Sequence, residues 1–209
     1  MAIGGVKNRG NLILSDKVEL SLPKNAVDCF TTWVDYDESA IKYYKENNRI
    51  GGYKGVVCPK IFPIDIDCGG DLELSLMVCK EITGMLVHVL DVDRSSFKIF
   101  YSGSKGYHIE IPGTLFEITP APQKEICRRF KSIALKLHDN IDDKIYKPNM
   151  LWRCANTINS KSGLYKVQLH YNELHSLSTS EVLELAKSPR FLEYVDCIEW
   201  VSDDTLGAL

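Results

Sequence analysis

Apolar and polar positions along the chain alternate in some stretches with a period of two and in others with the helical period. Leu12 to Leu14 and Val18, Leu20 and Leu22 read as two short strands around a Ser15-Asp16-Lys17 turn, and Asp37 to Asn47 as a short helix before a Gly51-Gly52 break. After Pro63 the segment Ile61 to Asp67 alternates, with Ile64 and Ile66 on one side of a strand and Asp65 and Asp67 on the other. Beyond Cys68-Gly69-Gly70, the positions Leu72, Leu76, Cys79, Thr83, Leu86 and Leu90 mark the inner face of a helix packed on a sheet. Phe97 to Tyr101 and Tyr107 to Ile111 form a predicted hairpin around Ser102-Gly103-Ser104-Lys105-Gly106. A helix follows from about Gln123 to His138, with Ile126, Phe130, Ile133 and Leu137 inward.

Leu164 to Tyr171 alternates again, with Tyr165, Val167, Leu169 and Tyr171 on one face and Lys166, Gln168 and His170 on the other. Ser178 and Glu181 make a capping box for a helix that Pro189 ends, and Phe191 to Val201 fits a helix or a strand. The elements are mixed α and β. No internal repeat or Pro/Gly/Ser-rich linker divides the 209 residues, so one domain is predicted.

Composition narrows the class. The chain is 44% hydrophobic and 25% charged, and it has no apolar run long enough for a membrane span and no secretory leader pattern. An intracellular, cytoplasmic protein is expected. Seven cysteines, at 29, 58, 68, 79, 127, 154 and 197, include no CxxC pair, which fits reduced thiols; a metal site built from distant cysteines and His88 would leave no spacing signature. The net charge is −3, yet Lys124 to Lys166 holds ten basic and four acidic residues. That local excess suits a solvated helix face or a nucleic-acid track.

Three clusters carry candidate chemistry. Two residues apart on a strand, Asp65 and Asp67 project to one side with Cα atoms about 7 Å apart, near enough to share a hard divalent cation. A lone DxD occurs often by chance; here flanking isoleucines imply an interior strand, where unpaired like charges are costly without a cation. In Ser102-Gly103-Ser104-Lys105-Gly106-Tyr107-His108, two glycines let backbone amides approach an anion, while Ser102, Lys105 and His108 add donors. His108 shares its strand face with Glu110, so a His–Glu contact is also open. The third cluster is Ile141-Asp142-Asp143-Lys144-Ile145-Tyr146 with Asn149, Arg153, Asn156, Lys161 and Lys166, a third carboxylate among cations suited to a triphosphate.

In this order the clusters resemble the motifs of the archaeo-eukaryotic primase superfamily, the primase-polymerases. Ile64-Asp65-Ile66-Asp67 looks like its hhhDhD strand, Ser102, Lys105 and His108 in SGSKGYH like its second motif, and Ile141-Asp142 like its third, with Asp143 the competing acid. Leu151-Trp152-Arg153 through Tyr165-Lys166 looks like small bacterial, phage and CRISPR-associated members. The motifs span residues 61 to 171, and the zinc knuckle of many members is not evident. The resemblance implies an α+β fold: an RRM-like antiparallel sheet carrying the acids, packed beside a smaller α/β unit.

It further implies a DNA primase-polymerase that makes or extends short primers on single-stranded DNA from nucleoside triphosphates, as a monomeric catalytic domain that is either a whole protein or, as the lack of a template-binding accessory domain favours, cut from a longer one. Asp65, Asp67 and Asp142 would hold two Mg²⁺ or Mn²⁺ ions. Ser102, Lys105, His108, Arg153 and Lys166, with Lys161 weaker, would grip the triphosphate. Arg128, Arg129, Lys131, Lys144 and Lys147 would meet template and primer phosphates. Gap filling or end joining by the same core, a metal-dependent glycosyltransferase and a noncatalytic nucleic-acid-binding module stay open as rivals.

Overall fold

The computed structural model describes residue 22 and residues 25–116 and 119–190. Its strands are β1 (Phe30–Thr32), β2 (Val34–Tyr36), β3 (Val56–Pro59), β4 (Ile61–Ile66), β5 (Lys98–Tyr101), β6 (Tyr107–Pro112), β7 (Ala121–Pro122), β8 (Leu151–Arg153) and β9 (Val167–Leu169). The helices are α1 (Glu38–Asn47), α2 (Leu72–His88), α3 (Gln123–Leu137), α4 (Tyr171–Ser176) and α5 (Thr179–Leu185). The fold is α+β. All ladders between these strands are antiparallel, in a four-stranded sheet of order β4-β6-β5-β9, a three-stranded sheet β2-β3-β7 and the pair β1-β8. No helix among the described residues is long and apolar enough to cross a membrane.

Local chemistry sets the helix starts. The Asp37 and Asp71 carboxylates accept from the backbone N–H groups of Ala40 and Leu74, capping α1 and α2. Ser178 and Glu181 close the expected capping box on α5. The predicted helix over 123–138 is α3, whose inner face buries Ile126, Phe130, Ala134 and Leu137.

Alternation gives the four-stranded sheet two unlike faces. Ile64, Ile66, Ile99, Tyr101, Tyr107, Ile109, Val167 and Leu169 are buried on the apolar one. Helix α2 packs against β4 and β6, burying Leu76, Cys79, Ile82, Thr83 and Leu86. The register Asp65↔His108, His108↔Phe100 and Phe100↔Gln168 lays a row of mostly polar residues across the other face. Pro63, Glu110 and Lys98 form the next row.

Three expectations change. Strand β4 is an edge strand of its sheet, not an interior one; its isoleucines report burial of one face, not a neighbour on both sides. Leu164 to Tyr171 is strand only over Val167–Leu169, because Tyr171 opens α4, where the Glu173 carboxylate accepts from the His170 amide. The strands expected around Ser15 to Lys17 and the segment Phe191 to Val201 lie outside the described residues, apart from Leu22, which packs against Ala26, Cys29 and Cys154.

Candidate active site on the polar face of the sheet

The site begins at the open edge of β4. There a single antiparallel bridge, Ile66↔Ile141, holds the segment after α3, and the Asp142 amide donates to the Asp65 carbonyl at 2.8 Å. This rung brings the third acid beside the first. Burial, then Asp142 and then Asp67, push the Asp65 carboxyl up to about 7. Asp143, the competing acid, turns away: its Oδ2 meets Lys131 Nζ at 2.6 Å, and that hydrogen bond holds its carboxyl below the usual range.

Strand β6 presents His108 next to Asp65, with Nε2 3.6 Å from Asp65 Oδ1. That separation exceeds a hydrogen bond. Burial, reinforced by the Lys166 and Arg153 charges, holds the imidazole well below its ordinary pKa, so the ring is neutral at pH 7. Its Nδ1 is buried without a hydrogen-bond partner among the described residues. The ring stacks on Trp152 of β8, centroids 4.1 Å apart and planes 29° apart.

The loop between β5 and β6 folds against this face. The Ser102 amide donates to the Gly106 carbonyl and Ser102 Oγ accepts from the Gly106 amide, so both backbone donors close the loop rather than point outward. A Cβ on Gly106 would lie 1.8 Å from the Ile66 carbonyl oxygen, so only glycine lets the hairpin press on the end of β4. Gly103, at φ +84, lies against the backbone of Tyr165 and Lys166, and its carbonyl accepts from Ser162 Oγ. Lys105 is exposed in this loop.

The remaining cations are differently placed. Arg153 donates from Nη1 and Nη2 to Asp28 Oδ1, 3.1 Å each, and lies over the Phe30 ring at 4.6 Å. Asp28 also accepts from the Ser160 amide and hydroxyl, which tie the loop after β8 to the start of β1. Lys166 is completely buried; its Nζ donates to Glu110 Oε1 at 2.6 Å and to the Arg153 carbonyl at 2.9 Å. Lys161 is exposed, as are Arg128, Arg129, Lys131, Lys144 and Lys147.

Glu110, left open as a His108 partner, instead accepts from Lys166 and from Trp152 Nε1 at 2.7 Å. Sequence reasoning missed the parts played by Trp152 and Asp28, and it considered Glu110 only as a contact of His108. The shared β6 face was the signal for Glu110; for Asp28, far from every motif, there was none.

Asp142 and Asp67 both oppose the charge on Asp65, a repulsion that a cation would relieve, yet the three carboxylates are not gathered into one ligand set. One oxygen of Asp67 accepts from the Gly70 amide and one of Asp142 from the Lys144 amide, each at 3.0 Å. Among the described residues no three His, Cys, Asp or Glu side chains are gathered to hold a metal ion, so the cysteine and His88 alternative gains no support there either. No family model matches this chain, and no curated protein matches it.

Proposed function

We propose that the chain is a template-directed nucleotidyltransferase of the primase-polymerase kind, making or extending short primers on single-stranded DNA. The observation that carries this reading is the Asp142–Asp65 backbone bond, which joins two distant acidic motifs beside His108. The four-stranded antiparallel sheet with α2 on one face suits the RRM-like core of the archaeo-eukaryotic primases.

Asp65, Asp67 and Asp142 would hold two divalent ions, Mg²⁺ or Mn²⁺. When bound, such ions supply Lewis acidity at an attacking 3′-hydroxyl and charge neutralisation at a triphosphate. The chain's own residues position the reactants. Without a cation the Asp65 carboxyl is pushed up to about 7, and a bound divalent ion would relieve that repulsion and keep the carboxylate ionised. Neutral His108, with a ring nitrogen unsatisfied inside the protein, can donate one hydrogen bond to a phosphate oxygen. Lys105 adds an exposed charge from the loop, and Ser102 holds that loop closed.

Arg153 acts from behind this surface. Its pairing with Asp28 fixes β8 and carries positive charge to within electrostatic reach of His108. The exposed basic side chains of α3 and the following loop, Arg128, Arg129, Lys144 and Lys147, offer phosphate contacts for template and primer.

The test is primer synthesis on unprimed single-stranded DNA with Mg²⁺ or Mn²⁺, ribo- and deoxynucleotides supplied separately and a labelled dinucleotide read out. Asp65→Ala and Asp142→Ala are each expected to lower kcat by about 100-fold or more with binding of single strands retained. Product formation equal to the parent in both variants would remove the acids from the reaction. The capped carboxylates of Asp67 and Asp142 favour one second reading, a noncatalytic nucleic-acid-binding module. It predicts strand binding with no incorporation in either metal.

A further inference from the structure

The half-buried Glu110 and the fully buried Lys166 form an ion pair that the proposed chemistry leaves without a task. Glu110 lies two residues beyond His108 on the same face of β6. Its Oε1 receives two donors, Trp152 Nε1 at 2.7 Å and Lys166 Nζ at 2.6 Å. The same ammonium bonds the carbonyl of Arg153, the residue after Trp152, and sits 5.0 Å from the centre of the Trp152 rings and 4.4 Å from that of Phe100. The indole is therefore held at its N–H, through the neighbouring main chain and by a cation over its ring. Against this fixed plate lies the His108 ring.

We infer that Glu110 is a positioning residue which, with Lys166, clamps Trp152 so that its indole sets the orientation of the His108 ring. Lys166 belongs to this clamp. With no exposed surface and its donors turned to Glu110 and Arg153, its ammonium touches no bound nucleotide. An ion pair whose cation is fully buried seldom earns its place by stability alone, because well-packed apolar residues of similar volume often do as well. Two short bonds converging on one carboxylate oxygen give geometric definition instead. The clamp stands on these contacts; its consequence for nucleotide use rests on the polymerase reading above.

Two double variants separate the roles. Glu110→Gln with Lys166→Met removes both charges together and keeps an amide oxygen to accept from the indole. Glu110→Ala with Lys166→Met removes that acceptor as well. The first readout is the chemical shift of the His108 ring in protein with isotope-labelled histidine, assigned by His108→Gln, since the stacked indole imposes a ring-current shift independent of activity. The Gln/Met variant is expected to keep the parental shift, and the Ala/Met variant to lose it.

The second readout is steady-state incorporation of nucleoside triphosphate. Nucleotide KM should stay within about threefold of the parent in the Gln/Met variant and rise about tenfold, with a smaller change in kcat, in the Ala/Met variant. A parental His108 shift in both variants overturns the clamp. So does a tenfold higher KM in the Gln/Met variant with the His108 shift intact, because Lys166 would then serve the nucleotide directly. Should a double variant not fold, Trp152→Phe, which deletes the N–H and keeps a ring, must displace the His108 resonance; an unmoved resonance overturns the proposal. If the parent incorporates no nucleotide, the polymerase reading fails while the resonance still decides the clamp.

Discussion

Asp65 concentrates the electrostatic tension of the molecule. In the unfolded chain its carboxyl titrates at 3.8, and in the folded one near 7, because burial and two neighbouring acids oppose its charge. Below about pH 4 it is protonated in both states; between there and pH 7 only the folded state keeps the proton, so the stability this group contributes is lost as pH rises through 7. Asp65→Asn, always neutral, should therefore melt higher than the parent at pH 8, and the gap should grow from pH 4 to 7 and level off above, at about 2–4 °C per kcal/mol. A gap that does not vary with pH would remove the assigned cause. The two adjacent acids of the third motif should also part company. Asp143 makes a solvent-screened ion pair with Lys131, so Asp143→Ala should leave the denaturant midpoint almost unchanged and leave primer synthesis intact. Asp142→Ala should abolish synthesis; the reverse outcome would exchange their roles. Sequence alone marked Asp65, His108 and Asp142 because each sits in a local pattern. It preferred Asp142 to Asp143 by the family resemblance alone, since the physical difference between them depends on which one meets β4.

At the scale of elements, caps and periodicity were enough to find α1, α2, α3 and α5 and the β5–β6 hairpin. The strands β1, β2, β3, β7 and β8 run two to four residues, too short for a period of two to stand out. Helix α4 was hidden because its first residue, Tyr171, continues the alternation of β9. The hairpin offers a sharp contrast between two glycines. Gly106→Ala puts a methyl into the Ile66 carbonyl and should cost more than about 2 kcal/mol, with β4–β6 amides losing hydrogen-exchange protection. Gly84, inside α2, has open space around its Cβ position, so Gly84→Ala should stabilise by about 0.5–1 kcal/mol. Equal effects of the two would show that the hairpin does not bear on β4 as described.

Across the whole molecule, charge is arranged by face. The sheet's polar face gathers acids at the β4 edge, while the outer side of α3 carries exposed Arg128 and Arg129. If single strands run along that helix, Arg128→Glu with Arg129→Glu should weaken binding and flatten the fall of log affinity with log salt by about two units of slope. Fluorescence anisotropy across a salt series measures this, and an unchanged slope would move the track elsewhere. The local basic excess was legible in the sequence; the sheet order was not, because pairings between distant strands leave no local mark. One such pairing, the rung between Ile66 and Ile141, governs when the centre exists at all. A chain emerging from the ribosome can complete the hairpin and α2 while still lacking its last carboxylate. If the three acids catalyse nucleotide transfer as proposed, that competence arrives only once the stretch beyond α3 has been made and has docked, and a partly synthesised copy stays chemically silent.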